Sequence, residues 1–249
     1  MKKETLDKLT LLQDALNELI TPNWKENRTE LDFMVANHQE MAELIDTTYE
    51  ENGTKHALGW KWWKGAAGER TMDTVDWINM HEGVKDNIKI ELTDLLFFTL
   101  SQKGLGDLTP DDEIVVLNNN DWVNFVTISA NNLLQRTGTA LILILLLAER
   151  IEFNITAYYV AKHTLNHIRQ LTGYKDGSYV KVNNGVEDNE LLHDIIKDIS
   201  TSDIDNNFNM IADGIMAGVY DVFNVVDDDR MSVMKWAEII VDTIEIEDE

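Results

Sequence analysis

Lys85-Asp-Asn-Ile-Lys-Ile-Glu91-Leu-Thr-Asp94-Leu-Leu-Phe-Phe-Thr-Leu-Ser101 is the stretch on which the fold turns. Its Ile88, Leu92, Leu95, Leu96 and Leu100 recur at helical spacing and form one apolar stripe. Glu91 and Asp94 stand three residues apart, so both point to one side of that helix. Acids beside Ile90, Leu95, Leu96, Phe97 and Phe98 need a cation or a polar partner wherever they become buried. The same spacing occurs upstream as Glu40 and Glu43. They lie in a second periodic stretch, residues 31–51, that carries Leu31, Val35, Met41, Leu44 and Ile45. Four acids on two facing helices would hold two or more hard divalent cations. An all-oxygen set favours Mg2+ or Mn2+ over Zn2+.

Working outward, Leu6, Leu9, Leu12, Leu16 and Leu19 predict a helix over residues 4–20. Further helices are predicted at 121–134, 139–153, 155–171, 188–199, 205–222 and 230–243. Pro22 and Pro110 punctuate polar stretches between helices. The glycines and tyrosines of residues 173–181 predict turns and a short extended piece. Two-residue alternation of strand type is nearly absent. The expectation is an all-α helical bundle, with residues 1–249 forming a single domain.

The chain has 249 residues, a formal net charge of -24 and no cysteine. Disulfides, thiolate zinc sites and cysteine nucleophiles are thereby excluded. The charge argues against stable binding of DNA or RNA, whose phosphates it would repel. The longest apolar run, Ala140 to Ala148, is half the length of a membrane-spanning helix and predicts a buried one. Met1-Lys-Lys-Glu4 leads into an amphipathic pattern and not into a signal peptide, so a cytoplasmic protein without membrane contact is expected.

Trp60-Lys61-Trp62-Trp63-Lys64 is a dense aromatic and basic cluster between the two acid pairs. Together with the acids it points to metal-dependent chemistry on a phosphorylated, ring-bearing substrate, a nucleotide. His163 and His167 are four apart, but no glutamate stands between them as in zinc proteases. Lys162 and Arg169 beside them suit phosphate better than a cation. No Walker sequence and no serine or cysteine nucleophile is evident, which leaves direct attack by water on a phosphorus atom. Two metals can orient the water and stabilise the leaving phosphates, with a carboxylate as general base.

Several blocks, in this order, resemble the dimeric all-α dUTP pyrophosphatases of the all-α nucleoside triphosphate pyrophosphohydrolase superfamily. They are Gln13-Asp-Ala-Leu-Asn17, Glu40-Met-Ala-Glu43-Leu, Trp60-Lys-Trp-Trp-Lys64 and Glu91-Leu-Thr-Asp94. A fifth is Lys162-His-Thr-Leu-Asn166-His-Ile-Arg169-Gln-Leu-Thr-Gly173-Tyr-Lys175, which continues through Gly177-Ser-Tyr179-Val-Lys181 to Gly185-Val-Glu187-Asp188-Asn189. Together they span about 70% of the chain. The acid pairs are common patterns, whereas the tryptophan and glycine–tyrosine–lysine blocks are specific. Two departures are a Leu-Leu-Phe-Phe run after Asp94, where relatives carry a histidine, and a missing tryptophan between Tyr179 and Gly185.

The resemblance implies hydrolysis of dUTP, and of dUDP, to dUMP, with pyrophosphate released from dUTP. The sister activity, on dCTP or several nucleotides, differs only in the base pocket. It also implies that Glu40, Glu43, Glu91 and Asp94 bind two or more Mg2+ and that Glu43 orients or deprotonates the water. Gln13 and Asn17 would read base and sugar, with Trp62, Trp63 and Asn166 completing that pocket. Lys61, Lys64, Lys162, Arg169, Lys175, Tyr179, Lys181 and Asn189 would contact phosphate. A homodimer is implied as well. Residues 190–249 carry no signature and are read as helices completing the subunit or as a lineage-specific extension.

Overall fold

The computed structural model describes residues 1–45, 48–51, 54–57, 82–105, 137–183, 185–225 and 234–238. Among them the chain is almost entirely helical, with two short antiparallel hairpins. It divides into two compact units, Glu30–Phe153 and a second made of Met1–Thr29 with Asn154–Glu249.

In the Glu30–Phe153 unit, α3 (Glu30–Ile45) and α5 (Thr137–Arg150) both pack on α4 (Glu82–Leu105). Helix α4 buries Ile88, Leu92, Leu95, Leu96 and Leu100, the stripe expected from the sequence, and adds Val84, Ile90 and Phe97. A helix apolar over so wide an arc is a core helix with neighbours on more than one side. On α3 the buried face is Phe33, Asn37, Met41 and Leu44. Leu31 and Val35, which also fit a helical stripe, lie on the other face at 65% and 60% exposure. On α5 the apolar run is buried except at Ile142 and Leu145, which are half-buried, and Leu146, 42% exposed.

The helix expected over 31–51 ends at Ile45. Thr48–Glu51 (β1) instead pairs antiparallel with Thr54–Ala57 (β2), with Thr48 opposite Ala57 and Glu51 opposite Thr54. Two residues, Asn52-Gly53, separate the paired ends in sequence. That dipeptide is the strongest short signal for a two-residue hairpin, and it overrides helical periodicity.

In the other unit, α6 (Ile155–Leu171) is central. It packs on α1 (Lys3–Ile20), α7 (Leu191–Lys197) and α8 (Phe208–Val222), and all but three of its residues are buried. Short α2 (Trp24–Asn27) follows α1 and buries Trp24, whose indole Nε1 donates to Asp14 at 2.7 Å. Asn154 caps α6: its Oδ1 accepts from Ala157 N at 3.2 Å, and its amide donates to Thr201 O at 2.7 Å. The helix ends as a Schellman turn, with Tyr174 N donating to Arg169 O at 2.9 Å and Gly173 at φ +96°. A Cβ at Gly173 would also stand 1.9 Å from Ser178 Oγ, so glycine is required there. The extended piece expected nearby is the hairpin of β3 (Val182–Asn183) and β4 (Val186–Glu187).

Residues beyond 190 pack into this unit. Asp205 accepts from Thr5 Oγ1 at 2.6 Å and Lys2 N at 3.3 Å, tying the segment before α8 to the start of α1. A helical turn at 234–238 brings Trp236 against α6, its ring 4.5 Å from His167 and 5.2 Å from His163. Tyr220 Oη meets His167 Nδ1 at 3.0 Å. The helix expected over 121–134 lies outside the described residues, as does most of that expected over 230–243. No described helix is long and apolar enough to cross a membrane.

His163 Nε2 donates to Leu12 O at 2.9 Å, so in the neutral ring Nδ1 carries no proton, and among the described residues it has no hydrogen-bond partner. Burial pushes the ring down to about 3, with His167 adding to the effect and the Leu12 bond opposing it. The unfolded chain binds a proton here below about pH 6.5, whereas the folded protein refuses it until about pH 3. Stability therefore falls as pH drops through that window, by about 2 kcal/mol from this group between pH 7 and 5. Urea unfolding at stepped pH is expected to show this loss, and His163→Gln, which keeps a donor for Leu12, is expected to remove that part of it.

Candidate metal centre and nucleotide contacts

The α3–α4 pairing brings three of the four sequence-predicted acids together. One carboxylate oxygen each from Glu40, Glu91 and Asp94 lies within 4.8 Å of the others, and all three side chains are half-buried. Glu91 and Asp94 owe their position to α4, where Leu92 and Leu95 beside them are fully buried and fix the rotation of the helix. Like charges this close repel one another, and a divalent cation turns the repulsion into attraction. The donors are oxygens only, which suits Mg2+ or Mn2+. Glu43 lies outside the cluster, exposed one turn further along α3, where its Oε1 accepts from Gln39 Nε2 at 3.1 Å.

In the other unit, Gln13 is buried, and its amide is oriented at both ends. Its Nε2 donates to Asn17 Oδ1 at 2.9 Å, and its Oε1 accepts from Tyr159 Oη at 2.8 Å. Burial raises the Tyr159 phenol well above its ordinary value, so it stays a donor. The i,i+4 spacing of Gln13 and Asn17 on α1 thus does place both amides on one face. Tyr159 was not singled out by the sequence. Its one signal is an aromatic residue four positions before His163 on the same helix.

The last motif block forms a network centred on Asp188. Arg169, buried on α6, donates from Nε to Asp188 Oδ2 at 2.9 Å and from Nη2 to Asp188 Oδ1 at 2.6 Å. Its Nη1 donates to Asn166 Oδ1 at 2.9 Å, and Nη2 also reaches Asn189 Oδ1 at 3.3 Å. Tyr179 Oη donates to Asp188 Oδ2 at 2.9 Å. Partial burial and the Asp188 bond push that phenol up to about 12. Arg169 therefore spends its planar fork on a carboxylate. Asp188 was quoted in the sequence motif but given no role; only the structure shows that Arg169 and Tyr179 converge on it.

The lysines divide. Lys162 is buried on α6, whereas Lys175 and Lys181 are exposed. Lys175 Nζ donates to Leu19 O at 3.1 Å, and Lys181 Nζ sits 5.5 Å from the centre of the Tyr174 ring. Trp60, Lys61, Trp62, Trp63 and Lys64 lie outside the described residues.

These features define an all-α protein with a carboxylate cluster that could hold a hard cation and a polar set of amide, phenol and lysine groups. The family model described as dUTPase matches residues 5–174, more than half of the chain, and the protein belongs to the dUTPase family. Its activity is hydrolysis of the dUTPase type, in nucleotide metabolism. No curated protein matches the chain. The family match takes in Gln13, Asn17, the acid pairs and α6 and stops at Tyr174, so Lys175, Tyr179, Lys181 and Asn189 fall beyond it.

Asp188→Ala is expected to destabilise the protein by about 3 kcal/mol, because it leaves a buried guanidinium without its counter-charge. Urea titration measures the loss. Asp188→Ala combined with Arg169→Met is expected to recover part of it.

Proposed function

We propose that this member of the family is a Mg2+-dependent dUTP pyrophosphatase that yields dUMP and pyrophosphate and also accepts dUDP. The convergence of Glu40, Glu91 and Asp94 is the observation that supports this best, because the family assignment alone does not supply a cation-binding geometry. Mg2+ or Mn2+, two or more per site, would be held by these acids and Glu43. When bound, it supplies charge neutralisation at the phosphates and acidifies water. A water attacks the α-phosphorus, and the pyrophosphate oxygen leaves from the opposite side. Glu43, exposed and close in sequence to the cluster, accepts the water's proton.

Gln13 and Asn17 read the base. The Tyr159 bond holds the Gln13 carbonyl, which leaves the direction of the remaining amide hydrogens fixed and suits an edge with alternating donors and acceptors. Asn166, Trp62 and Trp63 complete the pocket. Lys175 and Lys181, exposed, serve the phosphates with Lys61, Lys64 and Lys162, while Arg169, Tyr179 and Asn189 order the loop around Asp188. The protein acts in the cytoplasm as a homodimer, with residues 1–249 as one catalytic domain.

Incubation with dUTP and Mg2+ is expected to give dUMP and pyrophosphate, with faster turnover than on dCTP and none after chelation. Orthophosphate as the first product would overturn the reaction, and a preference for dCTP would overturn the base assignment. Glu43→Gln is expected to lower kcat by about 10²- to 10⁴-fold with folding intact, the range for a general base. Glu40→Gln with Glu91→Gln is expected to abolish Mn2+ binding measured by calorimetry.

A further inference from the structure

One hydrogen bond crosses from α3 to α4 deep in the core of the Glu30–Phe153 unit. Asn37 Nδ2 donates to Gln102 Oε1 at 3.1 Å, and the two residues are 1% and 2% exposed. Each amide is only half satisfied: Asn37 Oδ1 and Gln102 Nε2 are buried and have no hydrogen-bond partner among the described residues. A buried polar atom without a partner costs stability, and two apolar side chains of similar size would avoid that cost. Such a pair is tolerated in a core chiefly where it selects one arrangement among near-equivalent ones.

Helices α3 and α4 have near-equivalent arrangements open to them. Two stripes of α3 are apolar, Phe33 with Met41 and Leu44, and Leu31 with Val35. Helix α4 buries apolar side chains over an arc wider than one stripe, with Ile90 and Phe97 beside Val84, Ile88, Leu92, Leu95, Leu96 and Leu100. Hydrophobic contact alone therefore discriminates weakly between rotations and between steps along the axis. The helices run antiparallel, since Glu40 meets Glu91 and Asp94 while the earlier Asn37 meets the later Gln102. Asn37 is one turn from Glu40 on the same helix. A slip of one turn is about 5.4 Å, more than the 4.8 Å within which the three carboxylates gather.

We infer that the Asn37–Gln102 amide pair is a positioning element that locks the register of α3 against α4 and so holds Glu40 against Glu91 and Asp94. The inference rests on the metal reading above for its functional consequence, but the register is measurable on its own. The chain has no cysteine, so Val35→Cys and Lys103→Cys give two unique sites for spin labels, one on each helix. In the full-length protein their separation is expected to be narrow and single-valued. In Asn37→Leu/Gln102→Leu the separation is expected to broaden or shift by about a helical turn. The Tm is expected to hold or rise, and the Kd for Mn2+ to increase at least tenfold.

An unchanged separation in that variant overturns the inference. A Tm that falls together with Mn2+ affinity also overturns it, because the pair would then be a plain stabilising contact. The exchanged variant Asn37→Gln/Gln102→Asn keeps an amide pair of the same combined reach. It is expected to retain both the parental separation and Mn2+ affinity, and loss of both there counts equally against the inference. Failure of the parent protein to bind Mn2+ would strike the metal reading, while the label separation still judges the register.

Discussion

The constraint on which the Glu30–Phe153 unit depends is that one helix, α4, must form the core and carry two acids of a candidate cation cluster at once. Its apolar positions are buried against α3 and α5, and Glu91 and Asp94 sit half-buried among them. Removing a carboxylate from water costs several kcal/mol unless a cation or hydrogen bonds replace the hydration. The hydrophobic gain from burying residues such as Leu92, Leu95 and Leu96, roughly 1.5–3 kcal/mol each, is what fixes the acids where they stand. Packing energy is thus converted into a site with concentrated negative charge. Placing the acids on a helix rather than a loop makes that placement rigid, as a cation with strict geometry demands.

The other unit solves a different problem by similar means. Its central helix, α6, carries lysine, histidines, asparagine and arginine at positions that packing would otherwise give to apolar residues. Three of these buried groups are held by specific bonds: His163 with Leu12, His167 with Tyr220, Arg169 with Asp188. Among its described residues, the tail from 190 onward supplies one of these partners, Tyr220, and, through Trp236, part of the cover over both histidines. It is therefore built into the body of the unit. Specific bonds in a low-dielectric setting rigidify what they join, and the Tyr159 bond to Gln13 orients that amide together with Asn17.

Much of this was legible in the chain. Strong periodicity gave α1, α4 and α6 to within a few residues, because long stripes of leucine and isoleucine admit one secondary structure. What escaped shows where pattern loses force. On α3 two stripes fit a helix equally well, and only the surface of α4 decides that Phe33 goes in and Leu31 stays out. The apolar stripe stops at Ile45, where the helix also ends, and Asn52-Gly53, the hairpin signal between the paired strands in sequence, outweighs the remaining helical expectation to residue 51. Asp188 could not be given its role, since nothing in a linear run of Glu187-Asp188-Asn189 says which carboxylate will meet an arginine nineteen residues earlier.

Charge raises the remaining physical question, because a chain with a net charge of -24 is proposed to act on a polyanion. Screening limits the reach of that repulsion: at physiological salt the Debye length is about 8 Å, so most surface acids are not felt at any one site. What the substrate meets close by is set by neighbouring groups. Exposed Lys175 and Lys181 offer point charges with mobile stems, whereas Arg169 is already committed to Asp188. Ammonium groups that give up only water or a single carbonyl can turn to phosphate at little cost, while breaking a buried bidentate ion pair would cost several kcal/mol. Burial thus commits the arginine to the scaffold and leaves Lys175 and Lys181 open to solvent.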